Sequence, residues 1–234
     1  MERRICVAFD IDDTLYLERD YVRSGFEAVG LWASKWLQIA GFGERCWAKF
    51  MSGKRGSIFN EVLTESGRAA DPKLVSALVE IYRTHMPSIV LAPDAAEALR
   101  EMSRCVSIAV ISDGPITSQS RKAEALGLAQ YASPIILTEI LGDQFPKPHP
   151  RAFEELMRRR PSDVYVYIGD NPAKDFAAPK RLGWKTVRIR RPGSLHYAEE
   201  NGQVVPDLEM PDCSELLTTL RRLLERQHGG VNED

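Results

Sequence analysis

Four short apolar runs punctuate the chain, at Ile5 to Phe9, Val106 to Ile111, Ile135 to Leu137 and Val164 to Ile168. Short runs without polar alternation are what strands buried on both faces of a parallel sheet require. A fifth, Thr186 to Ile189, alternates with arginines and reads as an edge strand. Between the runs, apolar residues recur at helical spacing. Ala95, Ala98, Leu99 and Met102 make one stripe after Pro93-Asp94, and Ala152, Phe153, Leu156 and Met157 make another, opened by Pro150. Alternating strand and helix predicts a doubly wound, Rossmann-like α/β core with a parallel sheet.

Residues 17–90 break that rhythm, because one crossover helix needs far fewer residues. Asp71-Pro72 opens a stretch in which Leu74, Val75, Leu78, Val79 and Tyr82 share a face, and Val29, Trp32, Trp36 and Leu37 mark an earlier helix. A helical bundle over 17–90 is therefore expected as an insertion into a core made of 1–16 and 91–234. Trp32, Trp36 and Trp47 read as its core rather than as an aromatic substrate box. Arg191 to Pro211 is polar and irregular. Beyond it Cys213, Leu216, Leu217, Leu220 and Leu224 predict a last amphipathic helix capped by Asp212, with Glu225 to Asp234 fraying. Pro179 falls within the helix expected after Asp175, and must either occupy its first turn or kink it.

Composition narrows the class. A hydrophobic share of 44% with 27% charged residues excludes a disordered chain. A net charge of -2 argues against nucleic acid or an anionic membrane as the main partner, and any positive patch must be local. Cys6, Cys46, Cys105 and Cys213 lie too far apart for a paired metal or disulfide spacing and read as reduced, buried filler. Met1-Glu2-Arg3-Arg4 leads straight into a strand rather than an apolar leader, and no run approaches a membrane span. A cytoplasmic enzyme, monomer or homodimer, is the expectation.

In an open parallel sheet the ligand site lies beyond the carboxyl ends of the strands. After the first strand come Asp10, Asp12 and Asp13; after the second, Ser112-Asp113-Gly114; after the third, by way of a loop, Lys147; after the fourth, Asp170 and then Asp175. Crowded carboxylates repel one another unless a cation compensates, and oxygen-only ligands suit magnesium. Magnesium leaves positions for water and a substrate phosphate, so this set points to phosphoryl transfer. Any one such aspartate is as readily a helix cap or turn former; the converging set is not.

Asp10-Ile11-Asp12-Asp13-Thr14, Ser112, Lys147 and Gly169-Asp170-Asn171-Pro172-Ala173-Lys174-Asp175 resemble, in order, the four motifs of haloacid dehalogenase-type phosphatases, over residues 5 to about 190. The inserted bundle resembles that family's first-type cap. The resemblance implies a magnesium-dependent phosphatase acting on a small phosphorylated metabolite. Asp10 is then the nucleophile and Asp12 the proton donor and acceptor, while Ser112, the Asp113 amide and Lys147 hold the phosphate. Asp10, Asp170 and the Asp12 carbonyl are implied as magnesium ligands, with Thr14 and Asp175 in support. Gly53-Lys54-Arg55-Gly56 resembles the cap loop that meets substrate, which makes Arg55 its candidate contact. His149, between two prolines, reads as a local hydrogen-bonding residue, and Asp13 and Asp113 as local caps apart from the latter's amide.

Other readings fit less well. A dehalogenase needs neither a metal nor the acidic fourth motif, and a two-component receiver is shorter and lacks the insertion. A phosphomutase shares the core and differs only in its cap. A catalytically silent binding protein of this fold predicts loss of an essential group, and none is lost.

Overall fold

In a computed structural model, described for residues 4–200, 202 and 204–225, the apolar runs form one six-stranded sheet. Its strands are β1 (Ile5–Phe9), β2 (Ser107–Ser112), β3 (Ile135–Leu137), β4 (Val164–Gly169), β5 (Lys185–Ile189) and β6 (Leu208–Met210). They lie in the order β3-β2-β1-β4-β5-β6, and every pairing is parallel. The chain steps from β1 to β2 on one side and later to β4 on the other. That reversal opens a crevice at the carboxyl edge of β1.

Contacts divide the chain into two compact units. The first comprises the described residues up to 17, 90–114 and those from 127 onward; the second is Glu18–Ile89 with Pro115–Leu126. In the first unit, α5 (Pro93–Met102) buries the expected Ala95, Ala98, Leu99 and Met102. On one face of the sheet, α7 (Arg151–Arg159) sets Phe153 edge-to-face against Tyr167 and Trp184. Full burial of a side chain that size contributes about 1.5–3 kcal/mol. Pro179 is the third residue of α8 (Ala177–Arg181), so it occupies the first turn, where its missing N–H costs nothing.

Three expectations need correction here. Thr186 to Ile189 is not an edge strand: β5 pairs on both sides, and β6 is the edge, inside a segment expected to be irregular. The arginines that made β5 look exposed are satisfied internally. Arg188 is buried and donates to the Asp170, His196 and Glu199 carbonyls, while Asp207 accepts from the Thr186 amide and hydroxyl and aligns β6. Asp212 accepts from the Ser214 amide in a turn that precedes α9 (Leu216–Glu225), rather than capping that helix. The expected fraying of the chain end beyond Glu225 lies outside the described residues.

The second unit packs α1 (Glu18–Leu37), α2 (Phe42–Met51), α3 (Ile58–Glu65), α4 (Pro72–Thr84) and α6 (Ile116–Ala125). Asp71 caps α4 through the Lys73 and Leu74 amides. Gly43 lets α2 touch α1, since a Cβ there would lie 2.4 Å from the Phe26 carbonyl oxygen. The buried aromatic core of this unit is built from Phe26, Phe42, Phe50 and Phe59, against which the half-buried Tyr82 and Trp47 pack, so the tryptophans are at most its margin. Trp36 is 62% exposed, in the last turn of α1, past Ala33 where the buried face ends. Trp32 and Trp47 are half-buried, and Trp47 stacks on Phe50.

Candidate active site

The ends of β1, β2 and β4 and the loop after β3 contribute polar groups to the same edge. Asp10 continues β1, its amide donating to the Ile168 carbonyl at 2.8 Å, and its side chain is buried. Ser112 ends β2 and is buried as well. The Asp113 carboxylate accepts from the Thr138 hydroxyl at 2.8 Å and the Lys147 amide at 3.1 Å, so it fixes the loop that delivers Lys147. Asp113 therefore does more than cap locally.

Lys147 is the hub. Its Nζ donates to Asp10 Oδ1 at 2.7 Å, Asp175 Oδ1 at 2.7 Å and the Tyr167 hydroxyl at 2.8 Å. Three acceptors around one ammonium fill its donor capacity. Asp175 Oδ2 accepts from the Asn171 amide at 2.9 Å, closing the turn after β4. Gly169 makes that turn possible: a Cβ would stand 2.5 Å from Asp175 Oδ2.

The electrostatics match this wiring. Burial pushes the Asp10 carboxyl up to about 6, against the pull of Lys147. Asp170 is pushed well above the usual carboxylate range by burial, with Asp175, Asp10 and Asp13 adding repulsion. Burial works against the charge of Lys147, yet Asp10 and Asp175 more than offset it and hold its pKa well above that of an ordinary lysine. Asp175 ends below the usual range, because Lys147 and Lys174 outweigh its burial.

Among the described residues, one carboxylate oxygen at this edge is buried and unsatisfied. Asp170 Oδ2 has no hydrogen-bond partner among the described residues, and carboxylate oxygens of Asp10, Asp170 and Asp175 lie within 4.8 Å of one another. An orphaned carboxylate oxygen beside two others is costly alone and favourable against a hard cation. The residues present fit a divalent metal on that ground.

The remaining motif residues separate. The Tyr16 hydroxyl donates to Asp12 Oδ1 at 2.5 Å. Asp13 has a left-handed φ of 54° and accepts from the Leu195 amide at 2.7 Å, a long-range tie rather than a local cap. Thr14 is buried, its hydroxyl lacks a partner among the described residues, and its carbonyl accepts from Arg191, which also forks onto Asp94. His149 accepts from the Arg151 amide, the local role expected of it. Arg55 belongs to the second unit. There its guanidinium donates to the Phe50 and Lys54 carbonyls and lies 4.0 Å from the Phe50 ring centroid.

Tyr167, Tyr16 and Lys174 also reach the site residues, although the sequence motifs assign them no role. A tyrosine inside an apolar strand run is itself a signal, since a buried hydroxyl must find a partner. Lys174 faces Asp113 at 3.7 Å, and its pKa is raised because Asp10, Asp175 and Asp113 outweigh its burial and the repulsion of Lys147.

Comparison with known proteins converges on one family. The model of the haloacid dehalogenase-like hydrolases matches residues 6–183. The glyceraldehyde 3-phosphate phosphatase of Methanopyrus kandleri is 30% identical over 93% of this chain and 97% of its own length. The phosphoserine phosphatase of Thermus thermophilus is 27% identical over 84% and 70%. Among solved structures, the HAD-hydrolase YfnB of Bacillus subtilis superposes with a TM-score of 0.69 at 19% identity, covering 94% of this chain and 99% of that one, which bears on the fold. With the family's model spanning β1 to β4 and the acidic edge described above, the chain belongs to the haloacid dehalogenase-like hydrolases.

Proposed function

We propose that this protein is a magnesium-dependent phosphatase that hydrolyses a small phosphorylated metabolite through an aspartyl phosphate on Asp10. The observation that carries the reading is Lys147, held between Asp10 and Asp175 beside the unpartnered oxygen of Asp170. A lysine so placed offsets charge on a nucleophilic carboxylate and on an incoming phosphate together. The relatives named for glyceraldehyde 3-phosphate and phosphoserine support a small phosphate ester as substrate.

In the proposed reaction an Asp10 oxygen attacks phosphorus while the bond to the leaving oxygen breaks, and Asp12 gives that oxygen its proton. Asp12 then takes a proton from water, which attacks the aspartyl phosphate, releases inorganic phosphate and restores Asp10. The Tyr16 hydroxyl fixes the rotamer of Asp12 for both transfers. The Ser112 hydroxyl and the Asp113 amide hold phosphate oxygens. Asp10, Asp170 and the Asp12 carbonyl are the proposed magnesium ligands, and the ion when bound neutralises charge on the phosphate. Asp175, with both oxygens engaged, orients Lys147 and the turn, and Thr14 supports the loop. Arg55 is proposed to select among substrates.

Phosphate release from a panel of sugar, amino-acid and nucleotide phosphates, with magnesium and with excess chelator, tests the reading. Release from at least one ester, abolished by chelator, is expected; full activity in chelator contradicts it.

A further inference from the structure

Residues 194–199 touch the loops after β1 and β4, and none of them has a part in the chemistry just proposed. The Leu195 amide is held by Asp13 at 2.7 Å, and the His196 and Glu199 carbonyls are held by Arg188 at 3.1 and 2.8 Å. Within this strap His196 Nδ1 lies 2.7 Å from Glu199 Oε1, and His196 Nε2 lies 3.0 Å from Asn171 Nδ2.

The donors and acceptors can be assigned. Asn171 Oδ1 accepts from the Ala173 amide at 2.9 Å, so its Nδ2 is the atom facing the histidine, and an amide nitrogen only donates. Nε2 must then accept. The Glu199 carboxylate accepts, so the ring hydrogen sits on Nδ1. Each bond fixes the next, in the way a carboxylate fixes the tautomer of a histidine that orients a neighbour.

Asn171 is where this chain meets the site. It follows Asp170 directly, its amide holds Asp175 Oδ2, and its carbonyl accepts from the Asp175 amide at 3.0 Å. Asp175 in turn holds Lys147 on Asp10. A rotation of the Asn171 side chain would release the Ala173 amide and loosen the turn that presents Asp170 on one side and Asp175 on the other.

We infer that His196, braced by Glu199, is a positioning residue that locks Asn171 and with it the Asp170–Asp175 turn. The inference rests on that turn being part of the reaction centre. Two variants test it: His196→Gln keeps an acceptor near the place of Nε2, and His196→Phe removes it. The readouts are amide hydrogen exchange of residues 169–176 without substrate, and kcat and KM for a small phosphate ester at saturating magnesium. His196→Phe is expected to speed exchange in 169–176 and to lower kcat by about 10- to 100-fold with little change in KM; His196→Gln is expected to restore most of both. If His196→Phe does not fold, Glu199→Gln at the exposed brace is expected to shift both readouts in the same direction by less. Unchanged exchange in His196→Phe, or His196→Gln no better than His196→Phe, overturns the inference. Absence of phosphate release by the wild type would count against the phosphatase reading instead, and the exchange arm still decides the role of His196.

Discussion

Lys147 Nζ lies 2.7 Å from Asp10 Oδ1, with both side chains sealed from solvent. A second carboxylate, Asp175 Oδ1, lies at the same distance on the same ammonium. Three buried charges in contact carry a net negative charge, and the arrangement is tolerable only while each keeps its partners.

Lys147→Met removes the shared cation and leaves two buried carboxylates facing each other. A loss of about 3–5 kcal/mol in unfolding free energy at neutral pH is expected from urea titration. The sign with pH follows from Asp175, whose folded pKa is depressed: its stabilisation is present above the ordinary carboxylate range and is lost as pH falls through its folded value. The difference between variant and wild type should therefore shrink in acid. A variant as stable as the wild type at pH 7 would refute the role of Lys147 as hub.

Asp170 should destabilise the metal-free protein. Asp10 and Asp170 both have raised folded pKa values, so their contribution is fully present below the unfolded carboxylate value and is lost as pH rises, for Asp10 through about 6. Asp170→Asn removes one of these charges. It is expected to melt higher than the wild type without metal near neutral pH, and to lose the rise in melting temperature that magnesium gives the wild type. A magnesium-induced rise of equal size in both would exclude Asp170 as a ligand.

Tyr167→Phe deletes the third acceptor on Lys147 while keeping the ring against Phe153. Loss of one buried hydrogen bond is expected to cost about 0.5–1.5 kcal/mol in stability. It should lower kcat by up to about tenfold, measured alongside the urea midpoint. An unaltered kcat would mean that two carboxylates suffice to aim the ammonium.

The strand ends and the acidic residues on them were legible in the sequence because both depend on local pattern: an apolar run fixes a strand, and the next polar residue falls at its carboxyl end. What was not legible depends on partners far along the chain. Asp13 looks like a local cap until Leu195, 182 positions away, is brought to it. Arg188 looks solvent-facing until the carbonyls of His196 and Glu199 enclose it, and that enclosure is what admits β6 as the true edge. Trp36 matches the helical period of α1 but is 62% exposed, whereas Leu37 beside it is half-buried.

Arg55→Ala probes the second unit. The guanidinium is engaged with the Phe50 and Lys54 carbonyls and the Phe50 ring, so it is held rather than loose. The variant is expected to change the ranking of metabolite phosphates while retaining hydrolysis of a small artificial phosphate ester. Equal losses on every ester would remove Arg55 from substrate selection.

The nucleophile is the point on which the proposed chemistry stands. Asp10→Asn is nearly isosteric and leaves Lys147 an acceptor, so the variant should fold. Phosphate release in magnesium, wild type against Asp10→Asn on the best ester of the panel, is expected to fall by at least about a thousandfold. Undiminished release in the variant would show that Asp10 is not the attacking group.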